Sequence, residues 1–360
     1  MSTAEAAVER STADILLEPI TLNDQLTFKN RIIMAPMTRC VNDDDLAPTE
    51  EMAAYYAKRA NAGMIISEAM IIEQRAQGYP NVPGIYTDKQ IAGWKRVVDA
   101  VHAEGGVMFA QIWHTGRIAH SSYLDGELPV APSAIAAEGH VSRADGDAEY
   151  DVPHEMTIDE IHAMAECYAQ AAENAMKAGF DGVEIHGANG YLIDQFLHHD
   201  PNHRTDEYGG SPENMARFCL EVVDAVLKRV DNRRVGLRLA PAGYAQMKED
   251  PRDGDVFRYL LPEVAKRNLA YVHAAIFFDT TEYDYLDGKT VTGFIRQHYD
   301  GNTIGVGSYD PETAAPRIAD GTFDMIALGR LYLTNADLVG KVARGEELNP
   351  IAEDGAINPE

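Results

Sequence analysis

The stretch Gly182-Val183-Glu184-Ile185-His186-Gly187-Ala188-Asn189-Gly190-Tyr191 joins an apolar run to a group of polar side chains. The run is predicted to be a strand, so that His186, Asn189 and Tyr191 are delivered together where it ends. In a barrel of parallel strands, that end carries the chemistry. An imidazole, an amide and a phenol there can hold a carbonyl or nitro oxygen and supply a proton. These three side chains cannot supply electrons to a substrate. A redox reaction at this point would therefore need a cofactor held by other parts of the chain.

Seven other runs of the chain resemble this strand, and amphipathic helical stretches separate them. Alternating strands and helices are typical of a parallel sheet, and eight strands are the number that closes a barrel. We therefore predict a single α/β domain over residues 1–360, a (β/α)8 TIM barrel. The eight predicted strands are Arg31–Arg39, Met64–Ile72, Val107–His114, Gly182–Gly187, Val235–Pro241, Ala270–Ile276, Thr303–Ser308 and Met325–Arg330.

Two segments interrupt this alternation. Leu16–Leu22 and Leu26–Phe28 flank a short polar turn, and we predict an N-terminal β-hairpin cap within residues 14–30, at the end of the barrel where the strands begin. After the third strand, residues 115–156 form a stretch too long for a structureless loop in a compact domain. We interpret this stretch as an inserted lid, partly a hairpin, over the mouth of the barrel.

The composition restricts the partners of the protein. Its 31 basic and 57 acidic residues give a formal net charge of −26, whereas nucleic acids and anionic membranes require a basic face. No run approaches the roughly 20 apolar residues of a membrane helix. Cys40, Cys167 and Cys219 are far apart and form no C-x-x-C pair, which favours free thiols in a reducing compartment. We expect a cytoplasmic monomer or homodimer that binds neither nucleic acid nor membranes.

An arginine inside the fifth predicted strand indicates a buried partner for its charge. Alternation places Arg238 on one strand face with two small residues, Gly236 and Ala240. An unpaired guanidinium there would cost several kcal/mol. The small neighbours leave room for something large and flat beside Arg238, and an internal ion pair with Glu184 of the adjacent strand is an equally good interpretation.

The last two strands end in glycine-rich segments that favour a phosphate site. These segments are Gly305-Val306-Gly307-Ser308 and Leu328-Gly329-Arg330. Loops after the seventh and eighth strands of such barrels often bind phosphate. Glycines let backbone N–H groups approach the oxygens, and Arg330 can pair with a dianion bidentately.

Taken together, the motifs resemble old yellow enzyme, and most closely the bacterial N-ethylmaleimide reductase and pentaerythritol tetranitrate reductase branch. The resemblance runs in order from the hairpin to the helix after the eighth strand, and seven ordered motifs make it specific. The motifs are Ala35–Arg39, Ser67–Ala69, Gln111–Arg117, His186–Tyr191, Arg204–Ser211, Gly236–Arg238 and Ala327–Arg330.

The resemblance implies a barrel that binds FMN non-covalently and takes hydride from NADPH or NADH. Within the FMN site, Thr38 would lie near flavin O4 and Arg238 near N1 and O2, where its charge would stabilise the reduced ring. The phosphate would be held by the residues at the ends of the last two strands. The full FMN-binding set would be Pro36, Met37, Thr38, Ala69, Gln111, His186, Arg238, Gly307, Ser308, Gly329 and Arg330.

The resemblance also implies an ene-reductase acting on small electrophilic alkenes, which are α,β-unsaturated carbonyl or nitro compounds. His186 and Asn189 would bind the activating oxygen of the substrate, and hydride would pass from flavin N5 to the β-carbon. Tyr191 would protonate the α-carbon from the opposite face as a general acid. Trp113 and Tyr79 would shape the pocket. No G-x-G-x-x-G fingerprint follows any strand, as expected if NAD(P)H stacks on the flavin and leaves before the substrate enters.

The sequence departs from the family pattern at three places. Asn189 replaces a second histidine of the close bacterial relatives, although its amide also donates. The tail, residues 345–360, lacks the aromatic, glycine-rich character that often closes the active site. Ala274–Gly288 is unusual in carrying Phe277, Phe278, Tyr283 and Tyr285, and it is a candidate for the missing aromatic wall.

Other classes of function remain open from the residues alone. The same fold could serve a flavoprotein acting as an isomerase or redox sensor. A Schiff-base lyase would need a lysine at a strand end, and none of the eight strands contains one. A metal-dependent hydrolase would need His198, His199, Asp200 and His203 ordered near the pocket. Residue type without fixed geometry is weak evidence for a metal site, so no metal is predicted.

Overall fold

The computed structural model describes residues 14–23, 26–141, 143, 146–243 and 245–351. Predictions for residues 1–13 and 352–360 lie outside the described part. The strands found in it are β1 (Ile20–Leu22), β2 (Leu26–Phe28), β3 (Ile32–Met34), β4 (Met64–Ile66), β5 (Met70–Ile71), β6 (Met108–Trp113), β7 (Val130–Ala131), β8 (His140–Val141), β9 (Ala148–Glu149), β10 (His154–Glu155), β11 (Gly182–Gly187), β12 (Val235–Leu239), β13 (Tyr271–Ala274), β14 (Thr303–Gly305) and β15 (Met325–Leu328).

The helices surround the sheet and follow its strands in alternation. Several begin at side-chain caps; for instance, Thr157 and Glu160 form a capping box at the start of the fourth helix. The α-helices of the described residues are α1 (Asp14–Leu17), α2 (Glu50–Ala57), α3 (Asp88–Ala103), α4 (Ile158–Lys177), α5 (Leu192–Leu197), α6 (Pro212–Leu227), α7 (Asp253–Ala265), α8 (Val291–His298), α9 (Pro311–Ala319), α10 (Arg330–Thr334) and α11 (Leu338–Arg344). Within the same residues, no helix combines the length and the apolar character of a membrane span.

Eight parallel strands close into the predicted barrel. Their order is β3, β4, β6, β11, β12, β13, β14 and β15, and β15 pairs with β3 to complete the ring. The second predicted strand, Met64–Ile72, is interrupted after Ile66 and resumes as β5, which pairs with β6. The (β/α)8 fold is therefore confirmed.

The predicted strands were too long at their carboxyl ends. Only Gly182–Gly187 has the predicted bounds, whereas Arg31–Arg39 shortens to β3 and Thr303–Ser308 shortens to β14. In the last case the reason is the backbone, because Gly307 and Ser308 have φ values of +121° and +63°. Such angles are incompatible with a strand and turn the chain toward the mouth of the barrel.

The predicted hairpin forms from β1 and β2 and closes the lower end of the barrel. Leu22 and Phe28 are fully buried and pack with interior side chains that include Met64 and Phe109. The segment from Leu16 was wrongly predicted to belong to the hairpin. It lies in α1, which packs against α9, so Leu16 joins the hydrophobic layer outside the barrel.

Within residues 115–156 the described part contains the expected hairpin, β8 paired with β9, and a second pair of short strands, β7 and β10. Val141 and Tyr150 of the hairpin pack with Ile118, and Tyr79 and Tyr191 pack against the same cluster. The insertion therefore reaches the residues that the sequence places at the mouth of the barrel.

Candidate active site

The carboxyl ends of neighbouring strands bring the predicted functional residues together. His186 on β11 is paired in register with Arg238 on β12, which is paired with His273 on β13. Trp113 ends β6, the neighbour of β11 on the other side. The carboxyl end of the barrel thus carries the groups expected to contact both a cofactor and a substrate.

A cavity of about 530 Å³ lies where the first and last barrel strands meet. Seven of the predicted FMN-binding residues line it; they are Pro36, Met37, Arg238, Gly307, Ser308, Gly329 and Arg330. Four others, Thr38, Ala69, Gln111 and His186, are not part of its lining. The structure therefore gathers most, but not all, of the predicted set around one space.

One end of this cavity has the character of an anion site. Nη2 of Arg330 donates to Oγ of Ser308 at 2.8 Å, and that hydroxyl donates to the carbonyl of Phe277 at 2.8 Å. The guanidinium also lies 4.8 Å from the centre of the Phe277 ring. A Cβ at Gly307 would lie 2.5 Å from the backbone nitrogen of Asp279, so only glycine fits this turn.

The residues after β3 form an irregular segment held by a buried ion pair. The backbone N–H of Ala35 donates to the carbonyl of Leu328, and Arg39 contacts Glu68 at 3.2 Å. Glu68 also accepts from the hydroxyl of Tyr56 at 3.2 Å. These contacts fix both ends of the segment that contains Pro36, Met37 and Thr38.

Below the cavity, a hydrogen-bonded network fills the interior of the barrel. Glu184 accepts from Nε2 of Gln111 at 2.7 Å and from Nδ1 of His273 at 2.9 Å. Burial alone would raise the pKa of Glu184, but His273, Arg238 and these hydrogen bonds outweigh it and lower the pKa. The carboxylate therefore remains ionised. Burial lowers the pKa of its partner His273 and Arg238 adds to this effect, while the charge of Glu184 opposes it.

Arg238 does not form the internal ion pair with Glu184 that the sequence left open. Among the described residues, no ion pair joins them, and Nε of Arg238 is buried without a hydrogen-bond partner. An orphaned guanidinium nitrogen beside a cavity indicates that a ligand completes the site. A flat, partly anionic ring against Arg238, with a phosphate against Arg330, fits these residues.

Four ring side chains form a compact cluster beside Arg238. The rings of Tyr79 and Trp113 are parallel with centres 5.8 Å apart, and Trp113 stacks on His186 at 6.1 Å. Tyr191 stands perpendicular to Trp113, with ring centres 4.6 Å apart. Its hydroxyl lies 3.1 Å from that of Tyr79. The residues predicted to bind and protonate a substrate are thus in mutual contact.

His186 and Asn189 each have a buried polar atom without a partner in the described part of the chain. These atoms are Nδ1 of His186 and Oδ1 of Asn189. Burial, reinforced by the positive charge of Arg238, holds the pKa of His186 well below its ordinary value. The imidazole is therefore neutral at physiological pH and donates one N–H, while Asn189 donates through its amide.

The histidine-rich segment after α5 forms an ion-pair network. His198 is fully buried, with Nδ1 at 2.7 Å from Asp253 and Nε2 at 3.2 Å from Asp194. Burial alone would lower the pKa of His198, but the two carboxylates raise it to about 10. A protonated imidazole is no metal ligand, because both nitrogens carry protons. His203 contributes a backbone hydrogen bond to Ser133.

The aromatic segment after β13 lies at the anion end of the cavity. Phe277 and Phe278 line it together with Ile351, and both are about half exposed. Tyr283 and Tyr285 are not part of the lining. Trp113 and Tyr191 do not line this cavity either. The aromatic segment therefore forms a wall near Arg330 and does not form one beside the ring cluster.

Sequence reasoning missed three residues that hold the site in place: His273, Asp194 and Gln195. Asp194 and Gln195 contact the backbone of Gly190, in the turn that carries Asn189 and Tyr191. One signal was available for His273, since a titratable residue in a short apolar strand needs a buried partner. For Asp194 the four-residue spacing to His198 was a signal, since side chains that far apart on a helix are neighbours. None marks Gln195, whose partners are backbone atoms.

Comparisons with known proteins agree with this geometry. Residues 15–349 match the NADH:flavin oxidoreductase / NADH oxidase family. A probable flavin mononucleotide-dependent alkene reductase of Leishmania infantum is 40% identical over 343 residues, which cover 93% of this chain and 92% of that protein. The 12-oxophytodienoate reductase 1 of Oryza sativa subsp. japonica is 38% identical over 353 residues, covering 96% and 90%.

Solved structures give the same result. Morphinone reductase in complex with tetrahydroNAD has a TM-score of 0.87 and 42% identity, with 94% of this chain and 93% of that one covered. The old yellow enzyme homologue from Zymomonas mobilis has a TM-score of 0.88 and 38% identity, covering 94% and 95%. The chain therefore belongs to the NADH:flavin oxidoreductase / NADH oxidase family, and its resemblance to old yellow enzyme is confirmed.

Proposed function

We propose that the protein is an FMN-dependent ene-reductase that uses NADPH or NADH to reduce activated C=C bonds of α,β-unsaturated carbonyl or nitro compounds. The observation that carries this proposal is the pairing of His186 with Arg238 on adjacent strands. One strand presents a neutral donor for a substrate oxygen, and the next presents a buried cation for an electron-rich ring. The names of the relatives, an alkene reductase and an oxophytodienoate reductase, support the same class of reaction.

The chain offers groups for each part of FMN. Arg238 would face the ring and favour its gain of electrons, because a fixed positive charge stabilises added negative charge. Gly307, Ser308, Gly329 and Arg330 would hold the phosphate. Pro36, Met37, Thr38, Ala69 and Gln111 would contact the ring, and donation from Gln111 to Glu184 leaves the amide oxygen of Gln111 to accept from it. When bound, FMN supplies the hydride for the reaction.

His186 and Asn189 would bind and polarise the substrate. Their two donors would converge on the carbonyl or nitro oxygen, withdrawing electron density from the β-carbon. The neutral state of His186 suits this role, since a neutral N–H donates without giving up its proton. Trp113 and Tyr79 would form the wall against which the alkene lies.

Tyr191 would supply the proton at the α-carbon. Its ring stands perpendicular to Trp113 and 5.1 Å from the ring of His186, so its hydroxyl shares a space with the oxygen-binding groups. The hydroxyl of Tyr79 at 3.1 Å can hold a proton for the next cycle. Tyrosine is one of the side chains that serve as general acids when they are positioned near the reacting atom.

The proposal is tested with the purified holoprotein under anaerobic conditions. NADPH and NADH should each be tried as reductant of the bound flavin, followed by 2-cyclohexenone or a nitro-olefin as acceptor. The expected result is loss of the yellow colour, its return on adding the alkene, and one saturated product per NAD(P)H consumed. Isomerisation without net NAD(P)H use would favour an isomerase, and flavin reduction without any product would favour a redox sensor.

We also propose that the chain acts as a single FMN-binding unit in the cytoplasm, as a monomer or a homodimer. Free cysteines support the choice of compartment, because Cys40, Cys167 and Cys219 are all unpaired. Sedimentation of the holoprotein would decide between one subunit and two.

A further inference from the structure

The peptide groups on either side of Gly190 are held by two consecutive side chains that are fully buried. The N–H of Gly190 donates to Oδ2 of Asp194 at 2.9 Å, and the carbonyl of Gly190 accepts from Nε2 of Gln195 at 2.7 Å. Both side chains have no exposed surface. Neither one is in the ring cluster or in the lining of the cavity. Both contact the backbone of the turn between Asn189 and Tyr191, and Gln195 also bonds the backbone of Thr115 and Arg117 after β6.

The backbone of this turn is left-handed at two consecutive residues. Asn189 has a φ of +61° and Gly190 a φ of +77°, both in the left-handed region. Glycine and asparagine tolerate that region better than other residues, so the sequence permits this turn and contacts from outside it select its direction. The position of a Cβ at Gly190 would lie 2.5 Å from the carbonyl oxygen of Ala245, which further restricts the turn. The direction of Asn189 and Tyr191 therefore depends on what holds Gly190.

Asp194 is itself fixed by a chain of buried charges. His198 lies 3.2 Å from Oδ1 of Asp194 and 2.7 Å from Oδ2 of Asp253, at the start of α7. The other oxygen of Asp253 accepts from the backbone N–H of His199 at 2.9 Å and contacts the His199 ring at 2.7 Å. His198 also contacts the carbonyl of Ala240, after β12. His198, directly after α5, thus connects the start of α7 and the loop after β12 to the residue that holds the turn.

We propose that Asp194 and Gln195 are positioning residues for the ene-reduction, with His198 and Asp253 holding Asp194 in place. Their hydrogen bonds hold the two peptide groups of Gly190 in place, so that the amide of Asn189 and the hydroxyl of Tyr191 face one substrate. This inference rests on the proposed function. It assigns to the buried His198 ion pairs a role in the geometry of the turn, beyond a contribution to stability.

The test uses the FMN-loaded full chain with Asp194→Ala, Gln195→Met and the conservative variant Asp194→Asn. Titration of the oxidised holoprotein with a phenol gives a Kd from the charge-transfer band, and this Kd reports on the oxygen-binding groups of the turn. Flavin reduced by dithionite is then mixed with 2-cyclohexenone, and the rate of reoxidation is recorded. Ferricyanide, which needs no oxygen-binding group, is the control acceptor. Dithionite is used because nicotinamide binding could itself depend on the turn.

For Asp194→Ala and Gln195→Met we expect the phenol Kd to rise and cyclohexenone reoxidation to slow, each by about tenfold to a hundredfold, since small misplacements have effects of that order. Ferricyanide reoxidation should stay within about twofold, as for an interaction that does not touch the flavin. Asp194→Asn should recover most of the loss, because its amide oxygen still accepts from Gly190. If Asp194→Ala binds no FMN, the phenol Kd and the reoxidation rate of Gln195→Met decide whether the inference holds.

A matched control is Asn202→Ala. Asn202 is buried in the segment after α5, and it donates to the carbonyls of Phe196 and Tyr208 at 2.8 Å each. Neither bond involves Gly190. Asn202→Ala should leave the phenol Kd unchanged. If Asp194→Ala and Gln195→Met both show the wild-type phenol Kd and the wild-type rate of reoxidation by cyclohexenone, the inference is overturned and the proposed function stands. Failure of the wild-type protein to bind phenol or reduce cyclohexenone would instead overturn the proposed function.

Discussion

Nε2 of Gln111 lies 2.7 Å from Oε1 of Glu184, in the interior of the barrel beneath the residues proposed to contact FMN. This bond fixes which way the Gln111 amide points, because only its nitrogen donates. It also places a buried negative charge close to Arg238, whose own charge helps to lower the pKa of Glu184. The electrical environment of the bound ring therefore depends on Arg238 and Glu184 together.

Glu184→Gln should make the bound flavin easier to reduce. Removing the buried negative charge leaves Arg238 less compensated, so the reduced ring gains stabilisation. For a two-electron couple, each ~1.4 kcal/mol raises the midpoint potential by about 30 mV. Anaerobic redox titration measures the shift, and the exposed Glu173→Gln is the control. A potential equal to wild type would show that Glu184 does not influence the ring.

Arg238→Ala should have the opposite effect on the potential and should also weaken FMN binding. The variant removes the cation whose Nε lacks a protein partner. Flavin content after gel filtration and the midpoint potential are the two measurements, and Arg238→Lys should restore part of each because it keeps the charge. Unchanged flavin content and potential in the alanine variant would count against placing Arg238 beside the ring.

The double variant His186→Ala with Asn189→Ala should abolish the charge-transfer band that phenols give with oxidised flavin, while FMN stays bound. Both side chains have buried polar atoms that lack partners, and they lie three residues apart, at the end of β11 and in the turn that follows it. Spectroscopic titration with a substituted phenol measures the effect. Wild-type affinity in the double variant would mean that the oxygen is held elsewhere.

Tyr191→Phe should slow reoxidation of reduced flavin by 2-cyclohexenone about 10²–10⁴-fold, the usual loss when a positioned acid is removed. Fold, FMN content and flavin reduction by NAD(P)H should persist, because the change removes one hydroxyl. Nitro-olefins should suffer less, since the nitronate formed by hydride transfer is stabilised. Tyr86→Phe is the control, because it removes a hydroxyl that donates to Gln74 at 2.7 Å outside the ring cluster, and it should leave the rate unchanged. Equal rates for Tyr191→Phe and wild type would exclude Tyr191 as the acid.

His198 should make stability depend on pH in alkaline solution. Its pKa is raised from 6.5 to about 10 in the folded chain, so its contribution is fully present below pH 6.5 and is lost as pH rises toward 10. The difference in free energy of unfolding between wild type and His198→Gln should therefore shrink over that range. Urea titrations at pH 6, 8 and 10 measure it. A difference independent of pH would show that His198 is not an imidazolium.

The sequence was most informative where local pattern and burial agree. β11 has its predicted bounds because all six of its residues are buried, which leaves a continuous signal. The carboxyl end of β14 was mispredicted because Gly307 and Ser308 adopt left-handed angles, which residue type does not indicate. His198 suggested a metal ligand by type, whereas its partner Asp253 lies 55 residues further on and is invisible to local reasoning.

The cavity where β15 pairs with β3 has a consequence for the biosynthesis of the protein. Pro36 and Met37 emerge from the ribosome early, whereas Gly329 and Arg330 emerge nearly 300 residues later, yet all four line one space. No nascent chain shorter than about residue 330 can assemble this pocket. The last strand must close the ring before a flavin can be captured, so uptake of FMN marks the completion of the barrel. Every flavin-bound chain in a preparation is thus a chain whose barrel has closed.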